Sequence, residues 1–99
     1  MSEYRLAFQA ERDLDEIADY LADRNPTAAV RLLENLLEKF LLLSQNPLLG
    51  ELRSDLPKKP RCFSAGKYVI FYQSTRHGIE VARVVHGARD LGAILGENE

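Results

Sequence analysis

The chain has 99 residues, of which 45% are apolar and 28% charged. These values are typical of a soluble globular protein and unlike those of a disordered one. A chain of this length predicts one domain, residues 1–99. The formal net charge is −2, so the chain lacks the overall basicity of proteins that are held to nucleic acid by phosphate contacts. We expect no sequence-specific nucleic-acid binding by the chain alone.

The sequence also argues against a membrane or secreted protein. No apolar run approaches the roughly 18 residues that cross a bilayer. Glu3 and Arg5 are charged where a signal peptide needs its apolar stretch. Cys62 is the one cysteine, which excludes an internal disulfide and a cysteine-rich metal site. We therefore expect a cytoplasmic protein with no membrane partner.

The chain begins with a predicted strand that gives way to a helix near residue 10. Tyr4, Leu6 and Phe8 occupy every second position, which is the spacing of a strand with one buried face. The next apolar residues follow helical intervals, namely Leu14, Ile17, Ala18 and Leu21. Acidic residues crowd the other side of this helix: Glu11, Asp13, Asp15, Glu16, Asp19 and Asp23. Several of them lie near the helix N-terminus, where the helix dipole favours negative charge.

A second helix follows and completes a predicted αα-hairpin. Asn25 is a favoured helix N-cap, and Pro26 suits the first helical position. The helix is predicted to run to about Asn46, with Pro47 beyond its end. Its predicted buried stripe consists of Ala29, Leu32, Leu33, Leu36, Leu37 and Phe40. Leu42 falls on the polar side of this helix, so we expect it to be exposed unless a partner covers it.

The C-terminal half predicts a connector, three strands and a last helix. Residues 47–60 are rich in proline and show no sustained period, which predicts an ordered connector with a brief turn of helix. Strand-like runs cover 61–64, 67–73 and 79–86, and their short connections make them antiparallel neighbours. The run 68–72 is apolar on both faces, which predicts a central strand. A short C-terminal helix is predicted from the spacing of Leu91, Ile94 and Leu95.

The predicted fold class is therefore α+β: an N-terminal strand, an αα-hairpin packed on a small antiparallel sheet, and a short C-terminal helix. Residues 83–90 (Arg-Val-Val-His-Gly-Ala-Arg-Asp) resemble the closing motif of the ParE/RelE toxin superfamily. Other matches occur in the expected order: Ala10, Asp13, Leu14, Ile17, Asn25, Pro26, Ala28, Ala29, Asn46, Pro47, Gly50, Arg53, Arg61 and residues 66–72. The ending is more similar to the ParE branch than to the RelE branch.

This resemblance implies the toxin of a type II toxin–antitoxin system, neutralised by a cognate antitoxin that wraps it as a helix and an extended strand. Within the ParE branch it implies DNA gyrase as the target, poisoned by binding and without enzyme activity. We predict that the target-binding residues are Arg61, Arg83, His86 and Arg89. We predict that the antitoxin-binding residues are Leu42, Leu91, Ile94 and Leu95, because apolar side chains suit groove binding or β-augmentation.

One alternative is a RelE-like, ribosome-dependent endoribonuclease that cleaves messenger RNA. That reaction needs a base, an acid and cations around the phosphate, and the candidates are the four target-binding residues together with Tyr68 and Tyr72. Strand parity places Arg83 with Val81 and Val85, whereas His86 points the other way. We therefore predict that Arg83 and His86 do not meet, and we assign no catalytic residue.

A second alternative is an inactive member that acts only in a repressor complex with its antitoxin. The sequence also gives no sign of a bound cofactor. Neither His77 nor His86 has further ligands at metal-binding spacing, and the glycines form no phosphate-binding loop. We predict no metal and no cofactor.

Overall fold

The computed structural model describes residues 3–87. They form β1 (Glu3–Leu6), α1 (Phe8–Arg24), α2 (Pro26–Gln45), β2 (Glu51–Leu52), β3 (Arg61–Ala65), β4 (Tyr68–Thr75) and β5 (Gly78–His86). The strands make one sheet in the order β1-β5-β4-β3-β2, which confirms the α+β class. The predicted C-terminal helix with Leu91, Ile94 and Leu95 lies outside the described residues, as does Arg89.

The two helices meet at Asn25 as the sequence predicts. The Asn25 Oδ1 atom accepts a hydrogen bond from the Ala28 amide at 3.1 Å, and Pro26 opens α2. α1 begins at Phe8, so the assignment of Phe8 to the buried face of the first strand is wrong. The chain turns at Ala7, whose carbonyl accepts the Glu11 amide, and Phe8 is left 70% exposed. Neither helix in residues 3–87 is long and apolar enough to cross a membrane.

The sheet is mixed, because one edge strand runs in the parallel direction. β3, β4 and β5 pair antiparallel through short connections, and β4 is central, as predicted. β1 instead pairs parallel with β5, from Glu3 opposite Gly78 to Leu6 opposite Val81. The whole αα-hairpin lies between these two strands in sequence, so no tight turn imposes the antiparallel direction. The connector also differs from its prediction, since it contains the two-residue strand β2, paired with β3.

Two apolar clusters cover the two faces of the sheet. The cluster under the helices contains Leu36 and Phe40 of α2 and Ile70 and Tyr72 of β4. The cluster on the other face contains Leu56, Phe71 and Val85. β4 is therefore covered on both sides, as its doubly apolar sequence predicts.

The buried stripe of α2 is narrower than predicted. Leu36, Phe40 and Leu43 are fully buried, but Leu37 is 43% exposed. Successive residues of a helix lie about 100° apart around its axis. Leu37 is therefore turned away from the face that Leu36 packs against the sheet.

β5 contains an irregularity that changes which way its side chains point. Phe71 pairs with Arg83, whereas the next residue, Tyr72, pairs with Val81, so Ala82 is the extra residue of a β-bulge. Val81 consequently lies in the cluster under the helices, and Val85 lies in the cluster on the opposite face. The prediction that Arg83 points with both valines is wrong, because it treats the strand as uninterrupted.

Candidate functional site

The outer edge of β5 is covered by two different elements. β1 pairs with β5 only as far as Val81, where the Ala7 amide donates to the Val81 carbonyl at 2.9 Å. The chain then enters α1, which packs against β5. A helix, and not a strand, therefore lies beside the C-terminal half of β5.

Asp13 of α1 ties this half of β5 to the helix. Its carboxylate accepts hydrogen bonds from Nε and Nη2 of Arg83, at 2.8 and 3.0 Å, and from the Val84 amide at 2.9 Å. The Arg83 and Asp13 side chains are only 11% and 9% exposed. A two-point arginine–carboxylate pair fixes geometry as well as charge. The Val84 amide would be available to pair with a further strand, but it donates to the Asp13 carboxylate instead.

The sequence analysis did not identify this role of Asp13. Its position carries a signal, because Asp13 lies between Ala10 and Leu14, inside the apolar stripe of α1. A carboxylate on the buried side of a helix needs hydrogen-bond donors. The structure shows that Arg83 supplies two of them. The target contact assigned to Arg83 stays a prediction, whereas its contact with Asp13 is present in the structure.

A second group of polar side chains anchors the loop between α2 and β2. The Tyr72 hydroxyl donates to the Pro47 carbonyl and accepts from the Gly50 amide, both at 2.8 Å. Arg61 Nη1 donates to the Gly50 carbonyl at 2.9 Å. Burial raises the pKa of Tyr72. The Arg61 side chain therefore holds the loop by a hydrogen bond, and its predicted target contact stays a prediction.

Gly50 is required for this close approach. A Cβ atom at Gly50 would lie 2.5 Å from the Tyr72 hydroxyl oxygen and 2.8 Å from the Cys62 carbonyl oxygen. Only glycine lets the loop backbone come so near to β3 and β4. The loop and the two strands are thus fitted to each other without space for a side chain.

His86 stands at the exposed end of β5 and lines a groove beside α1. Its ring packs edge-on against Tyr68, with ring centroids 5.6 Å apart. The groove has a volume of about 340 Å³. It is lined by Asp13, Glu16, Ile17, Tyr20, Tyr68, Val84, Val85 and His86. The structure therefore brings His86 and Tyr68 together but directs Arg83 Nε and Nη2 to Asp13.

Several of the groups that could serve acid–base chemistry are engaged inside the fold. Of the candidate groups for RNA cleavage, Tyr72, Arg61 and Arg83 are engaged by the loop or by Asp13. A reacting phosphate needs cations and proton donors directed at its own oxygens. In the part of the chain that the structure describes, no group of three histidine, cysteine or acidic side chains is placed to hold a metal ion.

The predicted antitoxin contact Leu42 is 38% exposed, which confirms the exposure expected for it. The structure also exposes further apolar side chains that the sequence analysis missed. Val30, Leu37 and Leu41 share one face of α2, and Leu48, Leu49 and Leu52 follow the helix; all six are at least 43% exposed. A hydrophobic pattern predicts that leucines are buried because they are apolar. Only the packed structure shows which leucines stay exposed to solvent. The antitoxin contact itself stays a prediction.

Comparisons with known proteins identify a family and a shared fold. The family model described as the ParE toxin of type II toxin–antitoxin system, parDE, matches residues 4–91. Toxin ParE1 of Caulobacter vibrioides is 29% identical over 97 residues, which cover 97% of this chain and 100% of that toxin. A solved structure titled as the chromosomal ParDE TA system from P. aeruginosa aligns with a TM-score of 0.71 at 21% identity. That alignment covers 87% of this chain and 96% of the other, and shows a shared fold.

Proposed function

The chain belongs to the ParE toxin family of type II toxin–antitoxin systems, and we propose that it acts by binding DNA gyrase, without catalysing a reaction of its own. We further propose that a cognate antitoxin neutralises it. The family supports the toxin class, and the engagement of Arg61, Tyr72 and Arg83 within the fold supports binding over catalysis.

The Asp13–Arg83 pair is the observation that supports this proposal most. An RNA-cleaving site would need Arg83 to direct its donors at a phosphate. Releasing Arg83 would leave the Asp13 carboxylate, 9% exposed, without its cation. Breaking a buried ion pair in this way costs on the order of 3–5 kcal/mol. Arg83 is therefore a poor ligand for a transient phosphate.

The proposed target surface is the end of β5. His86 is exposed there and borders the groove beside α1, and Arg89 follows three residues later in the sequence. Arg61 and Arg83 complete the proposed set. Both also hold neighbouring elements in place, Arg61 through the 47–50 loop and Arg83 through α1.

A supercoiling assay with purified gyrase tests the target. We expect the toxin to inhibit supercoiling and to trap cleaved DNA, and His86→Ala to weaken the inhibition. His77→Ala is the matched control, since His77 is an exposed histidine in the turn between β4 and β5. Specific cuts in messenger RNA on translating ribosomes, with gyrase unaffected, would overturn the proposal in favour of the ribonuclease. No effect on either target would favour the inactive, repressor-only member.

The proposed antitoxin surface includes Leu42, together with Leu91, Ile94 and Leu95 beyond the described residues. We expect cells that express the toxin alone to stop growing, and co-expression of the antitoxin encoded by the neighbouring gene to restore growth. Leu42→Glu should weaken co-purification of the two proteins. Thr27→Glu, which adds the same charge at the far end of α2, should not. Equal co-purification of both variants would remove Leu42 from the interface.

A further inference from the structure

The exposed side of α1 is strongly acidic. The helix sequence contains six acidic and two basic residues. Asp13 is engaged by Arg83, but within residues 3–87 neither Glu16 nor Asp19 has an ion-pair partner. Both are exposed. This negative potential has no counterpart inside the described part of the fold, so it is directed at whatever approaches α1.

The groove between α1 and the end of β5 lies along this acidic side. Glu16 and Tyr20 are one helical turn apart and both line it, opposite Tyr68 and His86. Ile17 and Val84 add apolar surface. The groove has a volume of about 340 Å³. Its mixed acidic, aromatic and apolar lining suits a long side chain with a charged head and an apolar stem.

Tyr20 already holds a cation on one face of its ring. The Arg24 guanidinium carbon lies 3.7 Å from the Tyr20 ring centroid, and Arg24 Nη1 donates to the Tyr20 carbonyl at 2.9 Å. The side chain still leaves Tyr20 57% exposed. Aromatic faces attract lysine and arginine through the ring quadrupole. Tyr20 is thus held in place by Arg24 while most of its surface remains accessible.

We propose that this groove docks a basic segment of the cognate antitoxin, with an arginine or lysine side chain seated between Glu16 and the rings of Tyr20 and Tyr68. The inference rests on the proposed function, because it takes the antitoxin as the partner. Charge complementarity carries the assignment: nucleic acids and anionic lipid surfaces have the wrong sign for this face. A segment seated here covers His86, so neutralisation occurs by occlusion of the proposed target surface.

The test is the affinity of purified toxin for the antitoxin encoded by the neighbouring gene, measured from about 50 mM to about 500 mM salt. We expect Glu16→Gln and Tyr20→Ala each to weaken binding about tenfold, and Glu16→Gln also to flatten the salt dependence. Glu3→Gln removes the same charge from an exposed site on β1 and should change the affinity less than about twofold. Circular dichroism checks that each variant is folded.

The outcomes separate this inference from the proposed function. Unchanged affinity and salt dependence in Glu16→Gln and Tyr20→Ala would overturn the inference and leave the toxin–antitoxin pair intact. Failure of the wild-type toxin to bind any antitoxin would instead overturn the proposed neutralisation. Salt-sensitive self-association of the toxin, abolished by Glu16→Gln, would assign the groove to a second copy of the chain and overturn the antitoxin assignment.

Discussion

Two buried polar groups hold the toxin sheet in place, and they use different chemistry. At the outer edge of β5, the Asp13 carboxylate is paired with the Arg83 guanidinium. At the other end of the sheet, the neutral Tyr72 hydroxyl binds the 47–50 loop. A buried charge that loses its partner is far more costly than a neutral group that loses a hydrogen bond. The two groups should therefore respond very differently to the loss of one member.

The two groups also serve different surfaces. The Asp13–Arg83 pair fixes α1 beside β5 and so shapes the groove that His86 borders. The Tyr72 anchor fixes the loop that presents Leu48 and Leu49, which are 72% and 50% exposed. Each polar group inside the fold thus sets the geometry of one exposed surface. Substitutions at either group should be measured for stability before any effect on toxicity is interpreted.

The largest effect is expected at Asp13. Asp13→Ala leaves Arg83 without this carboxylate and the Val84 amide without its acceptor, so the free energy of unfolding should fall by about 3–5 kcal/mol. Urea unfolding followed by circular dichroism measures it. The control is the double variant Asp13→Leu/Arg83→Met, which removes both charges. It should be more stable than Asp13→Ala, because neither charge of the pair is left without the other, although the unsatisfied Val84 amide still costs about 1–3 kcal/mol.

A double variant as unstable as Asp13→Ala would contradict this account. It would show that buried charge is not what distinguishes the β5 edge from the Tyr72 anchor. The stability lost at Asp13 would then come from lost packing, which substitutions at Tyr72 can also cause.

A smaller effect is expected at Tyr72. Tyr72→Phe keeps the ring in the core but removes both hydrogen bonds to the loop, so stability should fall by about 1–3 kcal/mol. Tyr68→Phe is the control, because the Tyr68 hydroxyl makes no hydrogen bond within residues 3–87, and it should change little. A loss at Tyr72 as large as that at Asp13 would remove the distinction between neutral and charged anchors.

The pH dependence of Tyr72→Phe tests the same point in alkaline solution. Burial raises the pKa of Tyr72 above its ordinary value of about 10, so the folded protein keeps the proton when the unfolded chain loses it. The wild type should therefore lose stability as the pH rises above about 10 and through the raised pKa. Tyr72→Phe lacks this component, so its stability should fall less steeply than that of Tyr68→Phe. If the free energy of unfolding of the two variants falls equally steeply with pH, the pKa of Tyr72 is not raised.

Local signals made much of the fold predictable. The Asn25-Pro26 step identifies the hairpin between the helices, and short connections set the antiparallel order of β3, β4 and β5. The parallel pairing of β1 with β5 joins Arg5 to Glu80 across most of the chain. No turn residue encodes it, because it follows from how the helices pack. The bulge at Ala82 is equally hidden, since a single extra residue leaves the apolar pattern almost unchanged.

The contacts inside the candidate site could not be predicted from the sequence. The target contact of Arg83 and the antitoxin contact of Leu42 stay predictions, and only the exposure of Leu42 is confirmed. It did not pair Arg83 with Asp13, 70 residues away, or Tyr72 with Pro47. An acidic residue inside an apolar stripe shows that a partner is needed. It does not show which residue is the partner, because many distant cations satisfy the same requirement.

The smallest effect is expected at Arg53 and Asp55, which reproduce the Asp13–Arg83 geometry near the surface. Arg53 Nε and Nη2 donate to Asp55 at 2.9 and 2.8 Å, but the Asp55 side chain is 62% exposed. Water readily replaces such a pair, so Asp55→Asn should leave the free energy of unfolding at neutral pH unchanged within error. The two arginine–aspartate pairs therefore have nearly the same hydrogen-bond geometry and differ in how deeply they are buried.

The pH dependence of this exposed pair completes the comparison. The Arg53 hydrogen bond lowers the pKa of Asp55 from its ordinary value of 3.8. Any stability it adds is present above that value and lost as the pH falls through the lowered pKa. Because the pair is exposed, urea unfolding should show the same stability for wild type and Asp55→Asn, within error, both at neutral pH and at about pH 3. If Asp55→Asn instead destabilises the protein as much as Asp13→Ala does, two-point geometry and not burial sets the strength of these pairs.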